Sequence, residues 1–282
     1  MQPAEYVQMV AVQDHHWWFE AKRRTVDALL ARYGVGDSVA SSAGRVLDVG
    51  SGTGAMVDVM TGFGRMFAAD AYLPALRLMR EHRPAAADVV PVGANLLSLP
   101  FGEASFALVG CFDVLYHQRV GDVGAALAEL HRVCEPGGYV VITDSAFSFL
   151  RSSHDVATHA ARRFRLPDLT TPLESSGFTI EHASYFHTLL FPAAAAFRLA
   201  KRALQGSPML QGSPPARGAG ESGEANGGAG AGDVPAHSDL APVAPWVNAV
   251  LLSIYRLETP LTVRFRMPFG VSLLILARRP PA

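Results

Sequence analysis

Between residues 44 and 144, short apolar runs alternate with stretches of helical period, and no other feature of the chain constrains its fold as strongly. A parallel crossover needs a dozen or more residues between strands, and a helix supplies them, so the pattern predicts a mostly parallel sheet. The strand candidates are "RVLDVG", "RMFAAD", "DVVPVGA", "SFALVGCF" and "GYVVITD", with helical candidates at residues 55–60, 74–82 and 120–133. "EPGG" at 135–138 is read as a helix stop, because Pro136 cannot continue the helix and the glycines supply a turn into the fifth strand. Further on, "LESSGFTIEHASYF" predicts a short helix, a stop at Gly177 and a sixth strand, and "FGVSLLILARR" predicts a seventh. The expected class is α/β, a seven-stranded mostly parallel sheet with helices on both faces.

At 282 residues and 49% hydrophobic, the chain can bury one large core of this kind. Lys plus Arg number 24 against 25 for Asp plus Glu, so there is no basic excess of the kind that phosphate backbones demand, and nucleic acid is not an expected partner. Cys111 and Cys134 have neither disulfide-framework nor metal spacing, and no metal site is expected. "MQPAEYVQMV" lacks the basic and apolar regions of a leader, and no apolar run has the length of a span, so the expectation is a cytoplasmic protein.

The chain divides by pattern into an N-terminal helical lid (1–43), a core (44–186), a helical cap inserted late in the chain (187–267) and a final strand of the core (268–282). Inside the cap, residues 205–239 are rich in Gly, Ala, Pro and Ser, and are expected to be a disordered linker. "LLFPAAAAFRLAKRAL" and "PWVNAVLLSIYRLE" flank that linker, each too short to span a bilayer. They are expected to pair over an acceptor site, or to pack structurally. Lys201 and Arg202 end the first where an anionic headgroup could meet them, which gives an expectation of peripheral membrane contact.

"RVLDVGSGTG" at 45–54 runs from a buried strand into glycines at alternate positions, Gly50, Gly52 and Gly54, with Ser51 and Thr53 between them. Open parallel sheets bind ligands at the carboxyl ends of their strands, and glycines let backbone approach a ligand closely. With Ala55 the turn also satisfies a dinucleotide pattern. Asp48 separates the two readings. A carboxylate in a buried strand is costly unless paired, and the functional reading has it organising the turn and holding the amino end of a ligand.

"LDVGSGTG" resembles the first motif of class I S-adenosylmethionine-dependent methyltransferases, of the type 11/12-like group, in which an acid precedes a G-x-G-x-G loop. The resemblance implies a Rossmann-like fold and S-adenosyl-L-methionine as cofactor. It implies that Asp70, followed by Ala71, accepts hydrogen bonds from both ribose hydroxyls. It places Asn95, followed by Leu96, where the family usually has an acid near the adenine amino group, and Ala107 where the family commonly has Asp. "ALAELHRVCEPGGYVVITD" matches the family's helix, glycine turn and fifth strand. "HHWWFEAKRR" at 15–24 resembles the H-x-W-F-x-x-R-R opening of a subgroup, many of which modify glycans or lipids; "SYFHTLLFP" and "MPFGVSLLILARR" resemble that subgroup's C-terminal half. There Trp18 would offer an indole face to the sulfonium and Arg23 a fork to the amino-acid carboxylate. The alternative is an amphipathic helix docking Trp17 and Phe19 on the core.

The fourth strand ends at "CFDVLYH", which brings Cys111, Phe112, Asp113, Tyr116 and His117 towards the expected methyl group. His117 is the candidate general base, since an imidazole titrates near neutral pH, and Tyr116 is a candidate wall or hydroxyl donor. His154, His159 and His187 are further candidates, and proximity alone is an equally complete mechanism. The expected function is methyl transfer (EC 2.1.1.-) to a small-molecule or lipid- or glycan-linked acceptor, O-methylation being preferred, with oligomeric state open. The rival readings are an NAD-dependent oxidoreductase and a non-catalytic partner subunit.

Overall fold

The computed structural model describes residues 1–40, 44–83, 86–204 and 243–282. The expected linker at 205–239 lies outside them. The described residues form a seven-stranded sheet of order β3-β2-β1-β4-β5-β7-β6. Its parallel strands are β1 (Arg45–Val49), β2 (Arg65–Asp70), β3 (Val90–Gly93), β4 (Phe106–Phe112) and β5 (Cys134–Ser145). β6 (Thr179–Phe186) and β7 (Ser272–Arg278) complete it, β7 running antiparallel between β5 and β6. All seven strands expected from the sequence are present.

Alternate residues of each strand enter two cores. Leu47, Val109, Val140 and Ile275 face α6 (Val123–Val133) and α8 (Leu166–Ser175), through Leu127, Leu130, Leu169 and Leu173. Val46, Leu108, Val141 and Leu274 face α2 (Trp17–Arg32), α3 (Val35–Ala40), α4 (Val57–Met60) and α5 (Leu73–His82), through Leu29, Leu30, Val39, Met60 and Met79. This period of two, buried on both sides, is why the strands read as continuous apolar runs.

Two local expectations are corrected. "EPGG" is not a turn between helix and strand: β5 already pairs at Phe106↔Cys134 and resumes at Leu108↔Tyr139, so these residues are a bulge inside the strand. The bulge exists because the chain's C-terminal end runs beside it. Gly137 (φ +82°) donates its N–H to the Arg279 carbonyl at 2.9 Å, and the Arg279 N–H donates to the Gly138 carbonyl at 2.9 Å. Secondly, the helices inserted between β6 and β7, α9 (Phe191–Leu204) and α10 (Pro245–Arg264), do not pack chiefly on each other. α10 lies along α2: the Trp17 N–H donates to Asn248 Oδ1 at 2.8 Å, and the Trp17 and Tyr255 rings stack at 5.5 Å.

Candidate active site

Strand order reverses between β1 and β4, and the carboxyl ends of those strands open into a cavity of about 440 Å³. The glycine turn forms its floor. At Gly50 (φ +73°) a Cβ would lie 2.3 Å from Cγ2 of Val114 in the turn after β4, so no side chain fits. At Gly52 (φ +54°) the N–H donates to Asp70 Oδ2 at 2.8 Å, while Asp70 Oδ1 accepts from the Tyr72 N–H at 2.7 Å. Asp70 therefore ties the end of β2 to the turn. Burial raises the Asp70 pKa, and these two backbone donors oppose the shift.

Asp48 does not organise the turn, contrary to expectation. It is 1% exposed, neither carboxylate oxygen has a hydrogen-bond partner, and its partners across the sheet are Ala68 and Gly110. Burial pushes its pKa well above the usual carboxylate range; the Asp70 charge adds to the rise and the Lys22 ammonium opposes it. A carboxylate held in this way is costly in the free protein, and it lies on the cavity wall. The Ser51 hydroxyl, also on the wall, is buried without a partner as well.

Across the cavity, Asp113 follows β4 with a left-handed backbone (φ +56°), its N–H held by the Thr143 carbonyl at 2.8 Å. Its carboxylate pairs with Lys22 of α2 and accepts from the Thr143 hydroxyl at 3.3 Å. Lys22 is 4% exposed and also lines the cavity. Beside it the Trp18 ring forms part of the wall and packs at 4.1 Å, centroid to centroid, on His187, a buried residue away from the cavity lining. Roofing comes from α1 (Pro3–Val12) and α2, through Tyr6, Met9, Trp18 and Phe19, and from α7 (Ser153–Ala157) with the loop after it, through His154, Thr158 and His159. No described residue of α9 or α10 lines it, so these two helices are not the cover expected over the acceptor site.

Asp48, Gly50, Ser51, Gly52, Asp70, Ala71, Asn95, Leu96, Phe112, Tyr116, His117 and Trp18 all lie on the cavity wall. Four expected residues do not. Cys111 faces the core, Gly54 abuts Met79, and Thr53 exchanges hydrogen bonds with the Gln13 amide, at 2.7 Å from its hydroxyl and 3.1 Å to its carbonyl. Arg23 turns its guanidinium to three backbone carbonyls, those of Gln13 (2.9 Å), Asp14 (3.1 Å) and Ala55 (3.2 Å). It fastens the lid helices to the turn, and Lys22, the residue before it, points inward instead.

Tyr116 is buried, and burial raises its phenol pKa strongly, so the ring holds its proton. His117 is pushed down to about 4, by burial first and then by the nearby amino group of Met1, His159 and Arg119. Its Nδ1 accepts the Arg119 N–H at 3.1 Å, and its Nε2 lies 3.0 Å from the Met1 amino group. At neutral pH the His117 ring is therefore uncharged and Tyr116 keeps its proton.

Residues 47–142 match the family model described as a methyltransferase domain, which spans the strands that build this cavity. This chain carries a class I methyltransferase domain. It is 33% identical over 145 residues to the malonyl-[acyl-carrier protein] O-methyltransferase of Pseudescherichia vulneris; the match covers 51% of this chain, and the chain spans 54% of that relative's length. The methyltransferase fold recurs in a candidate sarcosine dimethylglycine methyltransferase from Galdieria sulphuraria (TM-score 0.51, 15% identity, covering 89% of this chain and 84% of that one). It recurs also in a geranyl diphosphate methyltransferase solved with GPP and sinefungin (TM-score 0.50, 13% identity, 88% and 77% covered). The cofactor of the domain is S-adenosylmethionine. The cavity fits it: the orphaned Asp48 carboxylate suits an ammonium, and the open left-handed turn at Gly52 leaves room for close approach.

Sequence reasoning missed Lys22 and Asp113 as a pair, and missed Tyr6 and Tyr72, whose rings stack at 4.8 Å on the wall. The signal available was helical phase. Phe19 and Val26 are core residues of α2, and Lys22, one turn from each, shares their inward face, which Arg23 does not.

Proposed function

We propose that this chain transfers a methyl group from S-adenosylmethionine to an oxygen of a small-molecule or lipid- or glycan-linked acceptor. The observation that carries the reading is Asp48, a buried carboxylate with two unpartnered oxygens beneath a glycine turn. It suits the cationic end of an amino acid, and it would repel the pyrophosphate of a dinucleotide, which argues against the oxidoreductase reading.

The sulfonium supplies an activated methyl group. Around it, Asp48 would accept from the cofactor's ammonium and Lys22 would donate to its carboxylate, taking the role expected of Arg23. Asp70 keeps lone pairs for the ribose hydroxyls, and Asn95 and Leu96 would border the adenine. Trp18 and Phe19 exclude water. On the acceptor side, His117 and Tyr116 would line the pocket that positions the acceptor oxygen, Tyr116 staying neutral as a wall. An oxygen already ionised, as in a carboxylate, needs no base here, and in-line positioning then carries the rate. The bacterial relative's name, an O-methyltransferase, supports oxygen as the target.

Calorimetry of the full chain with S-adenosylhomocysteine and with NAD tests the cofactor half, which requires binding of the first and not of the second. Transfer of labelled methyl from S-adenosylmethionine into the small-molecule or lipid fraction of a cell extract tests the rest; label recovered only in protein or nucleic acid would overturn it.

A further inference from the structure

Helix α10 turns a row of large apolar side chains outward. The face it packs against α2 and β6 carries Asn248, Tyr255, Glu258, Thr259 and Thr262, whereas its solvent face carries Trp246, Val250, Leu257 and Leu261. Trp246 is 72% exposed and Leu257 69%. At 3.6 residues per turn these four positions fall within about 60° of arc, a continuous apolar stripe. α9 adds Phe197, 68% exposed, and exposed Leu199. The rings of Phe191 and Phe269, 5.3 Å apart, join the start of α9 to the segment after α10.

Charge on the same two segments is predominantly basic. Residues 191–204 and 245–269 contain six bases, Arg198, Lys201, Arg202, Arg256, Arg264 and Arg266, and one acid, Glu258, in a chain whose charges as a whole nearly balance. Glu258 is buried and accepts the N–H groups of Thr188 (2.7 Å) and Leu189 (3.1 Å). Arg256, Arg264 and Arg266 are exposed. No described helix is long and apolar enough to cross a membrane. An exposed apolar stripe with only basic charge around it matches a helix lying in the headgroup layer of an anionic bilayer. Two copies docked through this face would oppose arginine to arginine.

We propose that the outward faces of α9 and α10 seat this chain on an anionic lipid surface, with Trp246, Leu257 and Phe197 at the acyl boundary and Arg256 and Arg264 on lipid phosphates. The inference does not depend on the methyl-transfer reading. Flotation of the full chain with vesicles of phosphatidylcholine, alone or mixed with phosphatidylglycerol, tests it. The wild type is expected to float with the anionic vesicles only, and Trp246→Ser/Leu257→Ser and Arg256→Glu/Arg264→Glu to lose more than about tenfold in partitioning. These side chains point to solvent, and unchanged circular dichroism of the variants checks that they fold. Trp246→Phe is expected to keep flotation while losing quenching of tryptophan fluorescence by brominated lipid. No flotation of the wild type, or flotation of both double variants equal to that of the wild type, would overturn the proposal. So would a wild-type dimer in light scattering that dissociates in Trp246→Ser/Leu257→Ser, which would assign the face to a second copy.

Discussion

Lys22 of the second helix and Asp113 at the end of the fourth strand form an ion pair on the cavity wall, so the N-terminal lid is fastened to the strand end where methyl transfer is proposed. Its neighbour Arg23 instead holds three backbone carbonyls. Two adjacent bases therefore have separable roles. Lys22→Met is expected to weaken S-adenosylhomocysteine binding by about ten- to a hundredfold, the scale of a hydrogen bond to a charged group. Arg23→Met is expected to leave affinity within about twofold and to lower stability by about 1–3 kcal/mol. Calorimetry paired with urea melts reads both, and an equal loss of affinity in the two variants would contradict the assignment.

Asp48 sets stability against binding. Because burial raises its pKa well above the unfolded value near 3.8, the folded state resists its ionisation, and its cost to the free protein grows as pH rises through 3.8 towards the folded pKa. Asp48→Asn removes that cost. The variant should melt higher than wild type without ligand at pH 7.5, by about 2–4 °C for each kcal/mol gained, and bind S-adenosylhomocysteine at least about tenfold more weakly. A variant that melts lower and binds normally would show that Asp48 is neither strained nor a ligand.

Asp70→Ala removes the acceptor for the Gly52 and Tyr72 N–H groups together with the expected ribose contact. Cofactor affinity should fall about ten- to a hundredfold, the scale of charge-assisted bonds. Asp70→Asn retains one acceptor oxygen and should recover part of it. Loss of affinity with unchanged hydrogen exchange at Gly52 would confine Asp70 to ligand contact.

His117 makes stability depend on pH. Its folded pKa lies at about 4 against 6.5 for the free ring, so between those values the unfolded chain binds more protons. The contribution is full above pH 6.5 and is lost as pH falls through that window. Urea melts from pH 7 to pH 5 should show a decline that is shallower in His117→Asn. Parallel profiles would move the titration to other histidines; burial also lowers His182 and His187.

By itself the sequence determined the seven strands, the class of fold, the glycine turn and Asp70 on the cavity wall, because each is written in a local pattern: apolar period, glycine spacing, an acid ending a strand. Gly50 and Gly52 are glycines for reasons a linear reading can supply in part, namely positive φ and close approach. Tertiary structure decided what depends on contacts distant in sequence. That β7 inserts antiparallel between β5 and β6, and that Arg279 pairs with "EPGG" at a bulge, follow from pairings more than about eighty residues apart. Lys22 rather than Arg23 enters the cavity because α2 buries the face that holds Phe19 and Val26, and a side chain one position on points along the lid instead. Asp48 is left without a partner because its neighbours across the sheet are alanine and glycine, a fact of register that no stretch of sequence displays.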